Sequence, residues 1–153
     1  MHHGYLIMAN VILSKKFSEL TTEELYQIID LRLRVFVEEQ KILYADTDFK
    51  DQKCLHYYIK KDGKIVSYMR LLPAGLKYKE IAFGRVATDE RYRNLGLASE
   101  IIKKAMQDFK GEPFRISAQA YLKKYYEKLG FKTVSDIYLE EEVEHIEMLA
   151  LNR

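Results

Sequence analysis

"RYRNLGLASEI", Arg91 to Ile101, sets two arginines and an asparagine ahead of one glycine and then opens an amphipathic run. The chain holds only 7 glycines, so the placement of this one is informative. A helix start leaves its first amide N–H groups unpaired and carries partial positive charge, which suits an anion. Gly96 and Ala98 keep bulk away from those amides, and Arg93 adds charge without blocking them. No Lys-Ser or Lys-Thr follows the glycine, and the three glycines of the dinucleotide fingerprint are missing. The alternatives are a seat for phosphate or a plain strand-to-helix turn with solvated arginines.

The flanks of this loop organise the rest of the chain. Before it, Lys79–Thr88 (KEIAFGRVAT) reads as a strand; after it, Leu97, Ile101, Ile102, Ala105, Met106 and Phe109 share one helical face. Gly111 and Pro113 stop that helix. Residues 9–17 suit a first strand, and Thr21 or Thr22 caps a helix running to about Glu39, with Glu24 as capping-box partner. Residues 40–52 read as an ordered loop, and residues 54–72 as a hairpin turning at Asp62-Gly63. A strand over Phe114–Ser117, a helix over Gln119–Leu129 and two strands, from Phe131 toward Tyr138 and over Val143–Leu151, complete the chain. This order predicts an α/β (α+β) domain, a mostly antiparallel central sheet of about seven strands flanked by about four helices. The strand–helix–strand unit over 79–117 should be parallel.

Composition narrows the function. The 153 residues fit one domain, expected over 9–153, with 1–8 read as a tag or disordered N-terminus. A net charge of +2 with dispersed Lys and Arg argues against nucleic acid, and no apolar run approaches a membrane span. The single cysteine, Cys54, excludes an internal disulfide or a cysteine metal site. A cytoplasmic location follows as the expectation.

Arg93-Asn94-Leu95-Gly96-Leu97-Ala98 resembles the Arg/Gln-x-x-Gly-x-Gly/Ala loop of the GNAT N-acetyltransferases. "YYEKLGF", Tyr125 to Phe131, is similar to the family's second motif, a tyrosine-bearing helix ending in Gly-Phe. "LRLRVFVEEQKILYADTD" (Leu31–Asp48), "AQAYLKKYYEKLGF" and "HIEM" (His145–Met148) resemble the ElaA-like branch of that family. There are departures: Gln119 stands where many members have asparagine, Leu122 where they have alanine, and Leu43 where the branch usually has proline.

The resemblance implies an acyl-CoA N-acyltransferase fold, acetyl-CoA as donor, no metal, and direct transfer to a small-molecule or peptide amine by a monomer or homodimer. It seats the pyrophosphate on Arg93, Asn94, Leu95, Gly96, Leu97 and Ala98 with Ser99 close by, and the pantetheine arm on the backbone of Val86, Ala87 and Thr88. Tyr126 takes the position of the general acid for the departing thiolate. The base stays open: Glu80 on the cofactor strand, Glu39 at the first helix end, His56, His145 or a water relay. Acidic clusters (Asp46, Asp48, Asp51; Glu140, Glu141, Glu142, Glu144) suit a cationic acceptor or are solvated loops, whereas Arg85 suits an acceptor carboxylate. The rival functions are a catalytically silent acyl-CoA-binding regulatory module and a nucleotide-phosphate binder.

Overall fold

The capping box expected at Thr21 forms. Thr21 Oγ1 accepts from the Glu24 amide at 3.0 Å, and Glu24 Oε1 accepts from the Thr21 amide at 2.9 Å. It opens helix α1, Thr22–Leu33, in the computed structural model, which describes residues 10–153. The tag or disordered segment expected over 1–8 lies outside the described residues. The helix does not run to Glu39 as a regular α-helix: from Arg34 it continues as a π-helical turn, Arg34–Glu39. Such widened turns occur often at functional sites.

Eight strands are described. β1 (Ile12–Lys16), β2 (Leu55–Lys61), β3 (Lys64–Leu72) and β4 (Ala82–Thr88) pair antiparallel in that order. The expected Asp62-Gly63 turn joins β2 to β3, with both residues at positive φ. β5 (Phe114–Gln119), β6 (Lys132–Thr133) and β7 (Tyr138–Glu140) all pair with β8 (Val143–Ala150). The mostly antiparallel arrangement is as expected, and its strands fall into two four-stranded sheets. A single parallel bridge, Ile81 to Phe114, joins them. Ile81 N donates to Pro113 O at 3.2 Å and Arg115 N to Ile81 O at 2.8 Å; the ladder between β4 and β5 ends there. The two strands are parallel where they meet, as the strand–helix–strand rule requires.

Helices cover both faces of the first sheet. Ile28, Leu31 and Val35 of the first helical segment pack on Tyr58, Tyr68 and Ala87. Helix α2 (Leu97–Asp108) packs Leu97, Ile101, Ile102 and Ala105 on Tyr57, Met69, Phe83, Phe114 and Ile116. Each fully buried Leu or Ile here contributes about 1.5–3 kcal/mol of transfer free energy. β3 lies under helices on both faces, which explains why it is buried from Ile65 to Leu72 and reads as a continuous run rather than an alternating one. The last helix, expected from Gln119, is shorter: a 3-10 turn over Ala120–Leu122, then α3 over Lys123–Lys128.

Candidate functional site

A cleft of about 910 Å³ opens where β4 and β5 part. Its floor follows from one local irregularity. Arg70 pairs with Gly84 and Tyr68 with Ala87, so Arg85 and Val86 together oppose Met69. Arg85 takes φ +51°, an uncommon conformation for a residue with a side chain. This is a β-bulge, and it shifts the side-chain phase of the strand. Phe83 and Val86, three residues apart, therefore meet the same core under α2, while Ala87 packs under α1. Strict alternation would have put Glu80 and Val86 on one face; the bulge separates them.

The loop expected to seat phosphate lines the cleft. Gly96 caps α2 with φ +76°, and Asn94 is also left-handed at φ +64°. Among the described residues, the amides of Gly96, Leu97, Ala98 and Ser99 have no backbone or side-chain acceptor, and the first helical bond is Glu100 N to Gly96 O. A Cβ at Gly96 would meet nothing within 4 Å, so its open side faces the cleft. Unpaired amides, a helix start and open space together fit a diphosphate. Arg93 is fixed from both sides: its Nε donates to the Thr88 carbonyl at 3.0 Å, and its two Nη groups grip the Glu39 carboxylate at 2.7 Å each.

Eight of the ten residues expected to hold the cofactor line the cleft: Val86, Thr88, Arg93, Asn94, Gly96, Leu97, Ala98 and Ser99. Ala87 and Leu95 do not. Asp89 N donates to Val66 O at 2.8 Å, so antiparallel alternation turns the main-chain groups of Ala87 toward β3 and those of Thr88 toward the free edge. Leu95 points outward and is 62% exposed.

Tyr126 enters the cleft from α3, and the Gly-Phe that ends its motif explains its position. Phe131 N donates to Tyr126 O at 3.1 Å and Gly130 N to Glu127 O at 3.0 Å, with Gly130 at φ +99°. This is a Schellman termination, and its usual apolar contact is present as the Phe131 ring against Tyr126, centroids 5.9 Å apart. Burial pushes the Tyr126 phenol well above its ordinary pKa, so it holds its proton. Beside it, Tyr125 and Ser99 share a hydroxyl hydrogen bond of 2.6 Å, which ties α3 to the start of α2.

The two carboxylates considered as bases are both ion-paired. Glu39 lines the cleft, but the Arg93 hydrogen bonds hold its pKa below the usual range. Glu80 is absent from the cleft lining; Arg115 grips it at 3.2 Å and also reaches Glu147 at 3.0 Å. His56 is wholly buried. Its Nε2 meets the Asp51 carbonyl at 2.8 Å, so that nitrogen donates and Nδ1 accepts from the Tyr68 hydroxyl at 2.7 Å.

The acidic cluster of residues 46–51 is neither an open cation site nor a solvated loop. Arg32 reaches Asp46 and Asp51 at 2.8 Å each. Arg70 reaches Asp48 at 2.6 Å and Asp51 at 3.0 Å, and Arg85 reaches Asp46 at 3.0 Å. Three arginines neutralise three aspartates and fasten the 40–52 loop to α1, β3 and the bulge. Hydrogen bonds from Arg70 hold the Asp48 pKa well below the usual carboxylate range. A lowered pKa stabilises the fold above the unfolded-state value of about 4, and that contribution is lost as pH falls below it. Urea midpoints measured at pH 6 and pH 3 should therefore fall toward pH 3, and Asp48→Asn should shrink the difference. Equal differences in both proteins would refute the assignment.

Sequence reading missed Ser117 as a cleft residue. Its hydroxyl pairs with that of Tyr138 and reaches Glu140 at 3.3 Å. The signal was available: Phe114, Ile116 and Ala118 alternate with Arg115, Ser117 and Gln119, so one face of this strand is polar. Among the described residues, no group of three His, Cys, Asp or Glu is placed to hold a metal, and no helix is long and apolar enough to cross a membrane.

A strand pair that parts beside an unpaired helix start is the arrangement of a fold that generally binds acyl-CoA, and the comparisons place the chain in it. The family model described as an acetyltransferase (GNAT) domain matches residues 18–151, and the chain belongs to that family. Within it, the chain is of the ElaA-like type. It is 31% identical to the protein ElaA of Escherichia coli over 137 residues, 86% of this chain and 90% of the relative. The crystal structure of E. coli ElaA superposes with a TM-score of 0.85 at 28% identity, covering 93% of this chain and 99% of the other. An acyl-CoA N-acyltransferase from Pseudomonas aeruginosa superposes with a TM-score of 0.88 at 33% identity, covering 93% and 99%. A UPF0039 protein of Schizosaccharomyces pombe is 38% identical over 140 residues, 88% of this chain and 92% of the relative.

Proposed function

We propose that the protein transfers an acetyl group from acetyl-CoA to a primary amine by direct attack in a ternary complex. The observation that carries this reading is the meeting of two features in one cleft: unpaired amides at the start of α2, and the buried, proton-holding Tyr126. The α2 amides and Arg93 hold the pyrophosphate, and the free edge at Val86 and Thr88 receives the amide-bearing arm. A bulge N–H polarises the thioester carbonyl as negative charge develops on it. Tyr126 delivers its proton to the departing sulfur. Glu39 acts through Arg93, setting the loop geometry, and Glu80 acts through Arg115 at the root of the two sheets.

The test is thiol release from acetyl-CoA across polyamines, amino acids, amino sugars and peptides. Turnover with one class supports the reading; CoA binding without turnover across all of them would make the protein a silent acyl-CoA-binding module. Stabilisation by ATP or NAD but not by CoA would instead mark a nucleotide binder. Tyr126→Phe keeps the ring packing and removes the proton. It should lower kcat by about 100-fold, the ordinary scale of general acid catalysis, while CoA affinity stays unchanged. An unchanged kcat would remove Tyr126 from the acid role.

A further inference from the structure

We propose that His145 is the group that takes the proton from the incoming amine, an inference that rests on the acetyl-transfer reading above. Ile116, Ala118, Ile146 and Met148 face α2 in the core. Their neighbours Ser117, Gln119, His145 and Glu147 therefore point to the opposite face of the same sheet, where Gln119 pairs with His145 and Ser117 with Glu147. Tyr126 reaches the cleft from the α2 and α3 side. The cleft thus receives a phenol from the cofactor side and an imidazole from the other.

The imidazole is held in a defined tautomer. His145 Nδ1 lies 2.8 Å from the Val143 carbonyl, which can only accept, so Nδ1 carries the proton. In the neutral ring Nε2 then holds the lone pair, and in the imidazolium it donates toward Glu140. The Glu140 carboxylate lies 3.4 Å from Nε2, and the Tyr138 ring stacks on the imidazole at 6.1 Å between centroids. A carboxylate beside that nitrogen attracts an ammonium group and then stabilises the imidazolium that forms. Glu140 is delivered there by the β7–β8 turn, where Glu141 and Glu142 both hold positive φ. The two carboxylates first considered as bases, Glu39 and Glu80, are instead gripped by arginines. The charged and titratable groups around the imidazole are Glu140 and Tyr138 from β7, Glu147 from its own strand and Glu141 from the turn. Lys77 and Arg85 also line the cleft; β5 adds Ser117, Gln119 and Arg115, the last ion-paired with Glu147, and Tyr78 hydrogen-bonds with Tyr138.

The proton count closes. One ammonium N–H bond breaks and its proton goes to His145 Nε2, leaving a lone pair that forms the new C–N bond. The C–S bond breaks and Tyr126 protonates the sulfur. The second nitrogen proton leaves as the amide forms and restores Tyr126, and His145 returns its own proton to solvent.

The experiment compares kcat/KM for the best amine between the unsubstituted protein and His145→Gln from pH 6 to 10. A CoA-induced thermal shift equal to that of the unsubstituted protein confirms that the variant is folded. The expected result is about a 100-fold loss at pH 7 that closes as pH rises toward the amine's own pKa, since bulk water then supplies free amine. Added imidazole should restore part of the rate in His145→Ala. A loss that is the same at every pH without imidazole rescue, or no loss at all, overturns the proposal. An unsubstituted protein that acetylates no amine overturns the underlying reading as well, and that outcome is visible before any variant is made.

Discussion

Gly96→Val should abolish the thermal stabilisation that CoA confers. Ligand at a hundred times its Kd stabilises by about 2.7 kcal/mol, which for a domain of this size is a shift of roughly 5–10 °C. Valine acts twice against it. Its branched side chain is strained at φ +76°, and its methyls occupy the open side of the loop where the pyrophosphate must approach the amides of α2. Strain alone lowers the baseline, so a matched control is needed. Gly63, in the β2–β3 turn, has the same φ of +76° and equally open surroundings. Gly63→Val should lower the unliganded Tm comparably and keep the CoA shift. If Gly96→Val also keeps the shift, the α2 start is not the seat of the pyrophosphate.

Arg32→Ala should be the most damaging substitution for the fold. Arg32 is 1% exposed and is the partner that Asp46 and Asp51 share. Its removal leaves carboxylates in the interior facing fewer cations, a change that typically costs about 3–5 kcal/mol. Tm should drop by roughly 10 °C or more. A double-mutant cycle gives the sharper readout. Asp46→Asn in the Arg32→Ala background should cost less than in the unsubstituted protein, because one of the two arginines that pair with this charge is already gone and only Arg85 remains. Additive losses would mean that the pair is not coupled.

Much of the fold was readable because local rules and long-range packing agree. The capping box at Thr21, the Asp62-Gly63 turn and the apolar stripe of α2 each state their structure within a few residues. The backbone of the loop before α2 was readable for the same reason: its glycine and its helix are neighbours in sequence. What could not be read depends on partners far along the chain. The π-helical turn at Arg34–Glu39 carries no breaker residue, and Glu39 finds Arg93 only in the folded molecule. The bulge at Arg85 leaves just one trace, the odd spacing of Phe83 and Val86. The aspartates of the 40–52 loop looked solvent-facing because the arginines that neutralise them lie on α1, β3 and β4. Which face of the sheet His145 takes is settled only by the pairing of β5 with β8.

Residues 40–50 contribute no strand and no helix, yet Asp46 within them is 3% exposed and anchored by two arginines. Segments of this kind usually open at low free energy because only solvated hydrogen bonds hold them. Here opening would pull apart buried charges, so it is coupled to loss of the core. The cleft wall that this loop builds is consequently a standing one rather than a closing lid. A ligand that fits it meets a surface already ordered, with little conformational entropy left to lose on binding. Swapping the loop between relatives would carry the shape of this wall over only together with Arg32, Arg70 and Arg85.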